Sequence, residues 1–285
     1  MRVETVECKR SRLQVDAVYV VRTSNGFMDK VKEELEKGEW CKQIHLLTET
    51  TCSKHDIFNH SMQADYDTVL ILNDTCFLNT SVNDANFADI NACLTQHRSE
   101  RYVYYLGCLP LSMVSLSNHN YRTFAVDGYA AIYSKAFIAY ALQRMSSITN
   151  WDLFQLVHCV CYTYTFPLTF TNSNIKESQN TPLYFKTIVC FAKFVVQTVS
   201  FDGQHVLGYK LCYVLAKYTI FLVLVLILFV IILALNLLSI SSYIKQNYPL
   251  LNSVYGRIKR KASTVLLAFR SSGTSTHPRE ISMVS

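Results

Sequence analysis

The chain has 285 residues, of which 17% are charged and 50% are hydrophobic, and its formal net charge is +6. This length supports one sizeable globular domain with an accessory segment, so a disulfide miniprotein and a fully disordered chain are excluded. The ten cysteines include no C-x-x-C pair and no Cys/His spacing typical of a structural zinc site. Their pairing stays open, because several lie in apolar runs where a free thiol packs as a small hydrophobe.

The basic excess is confined to the C-terminal tail. Beyond Tyr243 there are seven Lys and Arg side chains and one acidic side chain, Glu280, whereas residues 1–243 have a net charge of zero. The basic cluster at residues 257–261 lies close to a hydrophobic run and has few aromatic residues beside it. These features predict contact with an anionic membrane surface and no nucleic-acid partner.

Strands and helices are predicted to alternate through the N-terminal part of the chain. Strands are indicated by short apolar, β-branched runs, and helices by apolar periodicity with capping residues. The predicted elements in chain order are strand 15–22, helix 27–37, strand 43–48, helix 53–64, strand 68–72, helix 84–97, strand 102–106, strand 124–133, helix 134–145 and helix 151–160. The alternation predicts an α/β fold with a mostly parallel sheet flanked by helices.

The composition then divides the chain into four parts. A polar, turn-rich stretch at residues 165–182 indicates that the α/β domain occupies residues 1–185. Residues 186–217 are predicted to be a peripheral or juxtamembrane segment, with a possible helix at 185–197. A transmembrane helix is predicted at 218–243, and a basic, partly disordered tail at 244–285.

The transmembrane prediction depends on residues 219–238, which carry no charge and have Asn236 as the main polar side chain. A helix needs about 20 apolar residues to cross the hydrocarbon core, and a buried core helix is usually shorter. Lys217 and Tyr218 before the run, and Tyr243 and Lys245 after it, suit the two membrane interfaces. The sequence therefore predicts a single-pass membrane protein.

The topology of this membrane protein is less constrained. The basic side chains after the span place the tail in the cytosol and the α/β domain in a lumen or outside. However, residues 1–25 contain no apolar signal-peptide core followed by a cleavage site. Sequons at Asn59, Asn73 and Asn79 are compatible with a lumenal glycoprotein. An endomembrane and a virion membrane both remain open.

The stretch at residues 52–77 combines the residues that could carry chemistry. Asp74 directly follows an apolar predicted strand, at the edge where open α/β sheets bind ligands. A carboxylate at this position can hold a divalent cation that neutralises a diphosphate. An Asp after a strand is also a common turn residue, so the position alone does not decide between the two roles.

An ordered set of motifs resembles glycosyltransferase family 25, the lipopolysaccharide-biosynthesis and procollagen galactosyltransferase-like enzymes, versions of which large DNA viruses also carry. The resemblance covers roughly residues 15–182, and no single motif is specific by itself. It rests on Cys52-Ser-Lys-His55, Ala64, Leu70-Ile-Leu-Asn-Asp-Thr-Cys-Phe77, Tyr104-Tyr-Leu-Gly107, Gly128-Tyr-Ala-Ala-Ile-Tyr-Ser134, Trp151-Asp152 and Tyr162-Thr-Tyr-Thr-Phe-Pro-Leu168.

The resemblance implies a single Rossmann-like glycosyltransferase domain of the A type, which would be followed here by the C-terminal transmembrane helix. It implies a hexosyltransferase that uses a nucleotide-sugar donor, a divalent cation such as Mn²⁺, and a glycan or protein acceptor. By the same resemblance, Asp74 would be the metal or nucleotide ligand, and Cys52 and His55 would line the donor site. A His at a helix start is also commonly a capping or solvated group.

Asp152 would be the candidate for activating the acceptor hydroxyl, because a general base must lie within hydrogen-bond reach of that group. The adjacent Trp151 could stack on a sugar face or anchor the helix against the core.

The sequence departs from the family pattern at its acidic motif. The family's E-D-D is replaced by Asn73-Asp74-Thr75, which removes two of three acids. Asn73 and Thr75 can offer neutral oxygens to a donor complex, so weaker cation binding and loss of activity are both compatible with this change. Two functions therefore follow: a membrane-anchored glycosyltransferase, or an inactive relative that acts as a single-pass membrane scaffold.

Overall fold

The structure is a computed structural model of the chain, and it describes residues 3–7, 11–22, 27–47, 53–148, 150–171, 190, 194–198 and 206–247. The chain divides into two compact units, Met1–Leu222 and Val223–Ser285. Cys52, the tail beyond Asn247 and most of the possible helix at 185–197 lie outside the described residues.

Within its described residues, the first unit contains nine strands, five α-helices of 8 to 13 residues and the start of a long helix. The strands are β1 (Val3–Glu7), β2 (Ala17–Val21), β3 (Gln43–Leu47), β4 (Thr68–Asn73), β5 (Cys76–Leu78), β6 (Tyr102–Ser115), β7 (Asn120–Ser134), β8 (Val160–Tyr164) and β9 (Thr169–Thr171). The helices are α1 (Met28–Lys37), α2 (Lys54–Gln63), α3 (Asp84–Gln96), α4 (Lys135–Arg144), α5 (Trp151–His158) and α6 (Val206–Asn247).

Seven strands form one mixed sheet in the order β1-β3-β2-β4-β7-β6-β8, and β5 and β9 form a second, two-stranded sheet. The pairs β2–β3, β2–β4 and β6–β8 are parallel. The pairs β1–β3, β4–β7, β6–β7 and β7–β8 are antiparallel. The predicted α/β class is confirmed. The antiparallel contribution of β1 and β7 is a feature that the strand-helix alternation did not indicate.

The large sheet is covered on both faces. On one face, Val18 and Leu70 pack with buried residues of α1 and α3. On the other face, Tyr19 and Val69 pack with buried residues of α2, α4 and α5. Because both faces of β2 and β4 are buried, these strands consist of continuous apolar runs rather than alternating ones.

The β6–β7 hairpin extends well past the two strands predicted from the sequence. Register shifts interrupt the pairing near Gly107 and around Pro110. Pro110 has no backbone N–H to donate to a neighbouring strand, and such a residue is tolerated where the strand pairing is irregular. These interruptions break the alternating pattern, which explains why the sequence predicted only residues 102–106 and 124–133 as strand.

The helix predicted at 151–160 ends earlier, at His158, and Val160 begins β8. Cys159 already has an extended backbone, with φ of −142° and ψ of 169°. The residues that follow are β-branched and aromatic, and they pair with β6 and β7, so tertiary pairing determines the boundary.

The long helix α6 contains the predicted span. Within residues 206–242 it is long and apolar enough to cross a membrane. Its first turns belong to the first compact unit, where Tyr209, Cys212, Tyr213 and Ala216 are buried. The helix therefore begins inside the core of the α/β domain, twelve residues before the predicted start of the span at residue 218.

Candidate functional site

The candidate site lies at the carboxyl ends of β2, β3 and β4. The chain leaves β2 through α1, which packs on one face of the sheet, and leaves β3 through α2, which packs on the other. β2 and β3 are parallel neighbours whose connections diverge to opposite faces, an arrangement that commonly creates a ligand-binding crevice at the carboxyl edge of the sheet. Open α/β sheets bind ligands at such a topological switch point.

Asp74 is held at this edge by its backbone. Its N–H donates to the carbonyl of Val21 at 3.0 Å, and its carbonyl accepts from the N–H of Phe27 at 2.9 Å. Asp74 therefore bridges the last residue of β2 and the residue before α1. The residue is 1% exposed. This confirms the position predicted at the end of a strand.

The two neighbours of Asp74 have different surroundings. Asn73 is the half-buried last residue of β4 and lies opposite Val21 in the parallel ladder. The Thr75 hydroxyl is hydrogen-bonded to the hydroxyl of Thr171 at 3.1 Å, and both groups are buried. This bond connects the turn after β4 to the small β5–β9 sheet, which gives Thr75 a structural role.

The first turn of α2 presents polar groups at the same edge. Ser53 caps the helix in a reciprocal capping box with Asp56. Hydrogen bonds from the Ser53 hydroxyl and backbone N–H lower the pKa of Asp56. His55 is half-exposed and lies within hydrogen-bond distance of the Asn59 amide, 3.2 Å from its Nδ1. The start of a helix carries a positive partial charge, which suits an anionic group.

The starts of α2 and α5 are brought together by Lys54 and Trp151. The Lys54 ammonium lies over the Trp151 ring, 4.6 Å from its centroid. The same ring packs against Phe58 of α2 and Phe137 of α4, with centroids 5.8 Å and 6.0 Å away. Trp151 thus anchors α5 in an aromatic cluster, which is the structural alternative that the sequence left open.

Asp152 follows in the first turn of α5, whose N-cap Asn150 accepts a hydrogen bond from Leu153 N–H. Burial raises the pKa of the Tyr133 hydroxyl, and the charge of Asp152 raises it further. The Asp152 carboxylate is thus close enough to the sheet face to raise the pKa of this buried tyrosine. The structure brings Asp152 and His55 to neighbouring helix starts. Asp74 lies in the turn directly after β4, the strand that follows α2.

Lys54 is a candidate that the sequence analysis did not identify. A cation in the first turn of a helix opposes the helix dipole, which favours acidic residues there. The unfavourable position of Lys54 was therefore a sequence signal for ligand binding. A Lys at this end of α2 can pair with a ligand phosphate.

The residues of the crevice do not form a complete protein cage for a metal ion. Among the described residues, no group of three or more His, Cys, Asp and Glu side chains is arranged to hold one. Mg²⁺-like cations are often bound by one or two carboxylates together with substrate phosphates. The donor set therefore fits only a cation that arrives with a diphosphate, for which Asp74 would be a protein ligand.

A cavity of about 620 Å³ is at the opposite edge of the sheet, and its lining includes Gln14, Asp16, Lys42, Asp67 and Arg98. The Asp16 carboxylate accepts hydrogen bonds from the N–H groups of Asp67 and Thr68. This cavity is thus bounded by groups that fasten the amino end of β4, and it is separate from the crevice.

No protein-family profile matches this chain, and none of the curated proteins compared with it matches in sequence. Several solved structures are similar at low level. A197 from STIV is 9% identical, with a TM-score of 0.37 over 54% of this chain and 83% of that chain. Mannose-1-phosphate geranyltransferase from Thermus thermophilus is 9% identical, with a TM-score of 0.28 over 52% of this chain and 58% of that chain. Apo UDP-glucose pyrophosphorylase is 7% identical, with a TM-score of 0.30 over 52% of this chain and 73% of that chain. At these TM-scores the likeness carries no argument about activity.

Proposed function

We propose that this chain is a membrane-anchored glycosyltransferase that binds a nucleotide-sugar in the crevice and transfers the sugar to a glycan or protein hydroxyl. The observation that carries the proposal is the divergence of the chain after β2 and β3, with Asp74 fixed beside it by bonds to Val21 and Phe27. That arrangement is the ligand-binding geometry of open α/β sheets.

The charges at the edge suit a nucleoside diphosphate. The α2 N-terminus offers N–H groups and Lys54 offers a positive charge to the phosphates. A divalent cation, with Mn²⁺ as the expected one, would neutralise the leaving diphosphate when bound, and Asp74 would be its protein ligand. His55 would contact the donor from the same helix turn. Cys52, Asn73 and Thr75 keep their predicted donor-site roles as proposals.

Asp152 is proposed as the general base for the acceptor. It would take the proton of the acceptor hydroxyl as that oxygen bonds to the sugar and the nucleoside diphosphate leaves. Anchored by α6, the domain would act at an endomembrane or virion membrane, with the basic tail in the cytosol.

The test is a UDP-release assay on the detergent-solubilised full-length chain, with UDP-sugars and a panel of glycan acceptors. We expect acceptor-dependent release that falls about a hundredfold or more in Asp152→Asn, because a general base contributes factors of that order. Asp84→Asn is the matched control, since Asp84 is a first-turn aspartate of another helix. Equal release from wild type and Asp152→Asn would refute the assigned base.

A second function, an inactive scaffold with a glycosyltransferase-like fold, is favoured by the structural roles of the same residues. Asp74 is 1% exposed, Thr75 is tied to Thr171, and Trp151 lies in an aromatic cluster. A scaffold predicts neither UDP release nor binding of nucleotide-sugars by a well-folded chain.

A further inference from the structure

The tip of the β6–β7 hairpin exposes apolar side chains to solvent. Residues 114–119 are all exposed, and Val114 and Leu116 are 49% and 41% exposed. The tip is nevertheless ordered by hydrogen bonds, since the N–H groups of Leu116 and Ser117 both donate to the carbonyl of Asn120. Large apolar side chains on an ordered, protruding turn indicate an interaction surface.

The first turns of α6 run toward this tip. Tyr209 packs on Tyr129 of β7, with ring centroids 5.6 Å apart. Two turns later, the Lys217 ammonium lies 5.1 Å from the ring centroid of Tyr121, near the start of β7. Successive turns of the helix thus contact β7 progressively closer to Asn120, where the tip ends.

Contacts between α6 and β8 also show that α6 runs toward the hairpin tip. The Tyr213 hydroxyl is hydrogen-bonded to the Thr163 hydroxyl at 3.2 Å. One turn later, the Lys217 ammonium donates to the hydroxyl of Thr165 at 2.8 Å, just beyond the end of β8. His119 of the tip stacks on Tyr164, the residue before Thr165. Lys217 and the hairpin tip are therefore at the same end of the domain.

Beyond Lys217 the apolar surface of α6, which is already exposed one turn earlier, becomes continuous. Ile220, Phe221 and Leu222 follow within the first unit and are 46%, 64% and 53% exposed. A Lys followed by a Tyr at the start of an apolar helix is typical of the membrane interface. The interface expected at Lys217 and Tyr218 is thus level with the hairpin tip.

We infer that the β6–β7 tip dips into the lipid interface beside α6, with Val114 and Leu116 in contact with acyl chains. The partner is the bilayer itself, because the tip is level with the start of the continuous apolar surface of α6. Together with α6, the tip would hold the domain to the membrane at two points and fix its orientation. This inference depends on α6 crossing a membrane and is independent of sugar transfer.

The test uses the full-length chain reconstituted into phosphatidylcholine vesicles with or without brominated acyl chains, which quench nearby tryptophan. Leu116→Trp places a reporter at the tip. Gln63→Trp is the matched control, because Gln63 is exposed in the last turn of α2, after which the chain enters the amino end of β4. The signal of the native Trp40 and Trp151 is subtracted with the wild-type chain.

We expect the emission added by Leu116→Trp to be shifted to shorter wavelength and quenched by brominated lipid, and that of Gln63→Trp to be neither. Val114→Trp should behave like Leu116→Trp and provides a second reporter if one variant folds poorly. Unquenched emission from both tip variants would overturn the inference. Equal quenching at the tip and at Gln63 would also overturn it, because the domain would then lie on the membrane without a specific contact.

Discussion

At the scale of individual residues, both ring nitrogens of the buried His45 have a hydrogen-bond partner. Its Nδ1 is hydrogen-bonded to the Thr5 hydroxyl at 3.0 Å, and its Nε2 to the Tyr66 hydroxyl at 3.2 Å. Tyr66 in turn donates to the Gln43 side chain at 2.5 Å. Because Tyr66 uses its proton for Gln43, a neutral His45 with its proton on Nε2 satisfies every bond. Burial, and then the nearby His60, lower the pKa of His45 to about 4.

This lowered pKa predicts a loss of stability in mild acid. The unfolded chain takes up a proton on His45 near its ordinary pKa of 6.5, whereas the folded chain does not until about 4. The contribution of neutral His45 to the free energy of unfolding is therefore fully present above pH 6.5 and decreases as the pH falls toward 4. We expect a loss of about 2 kcal/mol between pH 7 and pH 5, measured by urea unfolding of the solubilised chain.

His45→Gln is the control for this prediction, since its amide keeps a donor near the Nε2 position and does not titrate. The variant should show a much smaller change between the two pH values. A wild-type chain whose unfolding free energy is the same at pH 7 and pH 5 would contradict the assignment.

At the scale of secondary-structure elements, the β6–β7 pair depends on the absence of side chains at two glycines. A Cβ at Gly107 would lie 2.1 Å from the Thr169 hydroxyl oxygen and 2.2 Å from Cε2 of Tyr129. Tyr129 cannot easily move, because its hydroxyl donates to the Thr169 carbonyl at 3.0 Å. Gly128 is similarly close to Tyr105. The glycines of both sequence motifs are thus explained by packing.

We therefore expect Gly107→Ala to destabilise the domain by about 1–3 kcal/mol, the usual cost of overpacking a core. Urea unfolding would measure the change. Ser112→Ala in the same strand is the control and should stay within about 0.5 kcal/mol of wild type. Equal unfolding midpoints for Gly107→Ala and wild type would contradict this prediction, because they would show that the strands accommodate a Cβ at Gly107 without loss of stability.

The first turns of helix α6 are part of the domain core. Tyr209 and Tyr213 are each 1% exposed, and both lie before the apolar run. A chain ending at residue 218 keeps them, whereas a chain ending at residue 205 exposes the surface they cover. We expect the shorter chain to be less stable by about 3 kcal/mol or more, from the loss of two buried side chains. Equal unfolding free energies for the two chains would refute this.

The sequence predicts some elements well and others poorly, for identifiable reasons. Residues 68–72 and 84–97 match β4 and α3 closely, because a continuous apolar run and a capped helix are local signals. By contrast, β1 has no fully buried residue and pairs only with β3 at the edge of the sheet, so it shows no apolar run. The short β5 and β9 depend on pairing between segments that are far apart in the chain, which no local pattern records.

The same distinction applies to the candidate site. The position of Asp74 could be predicted because it follows a buried strand. The bond from Thr75 to Thr171, and the contact of Lys54 with Trp151, arise only when distant segments meet in the fold. The sequence therefore located the edge of the sheet, while the partners of each side chain required the structure.

At the scale of the whole molecule, a mixed α/β domain continues into a helix that begins in the core of that domain and is long and apolar enough to cross a membrane. Residues 1–243 have no net charge, so the net charge of +6 lies in the basic tail, and the proposed attraction to anionic lipid would come from the tail. The crevice at the carboxyl ends of β2, β3 and β4 is the part of the domain to which a soluble ligand is assigned. Its occupation by a nucleotide-sugar is the central claim.

Calorimetric titration of the detergent-solubilised full-length chain with UDP-glucose and UDP-galactose, with and without Mn²⁺, tests that claim most directly. The variants are Asp74→Asn and the control Asp65→Asn; Asp65 has a φ of 59°, a conformation that Asn also adopts readily. We predict that wild type and Asp65→Asn bind, that Mn²⁺ strengthens binding, and that Asp74→Asn does not bind. Absence of binding by well-folded wild type, or unchanged binding by Asp74→Asn, would contradict the account.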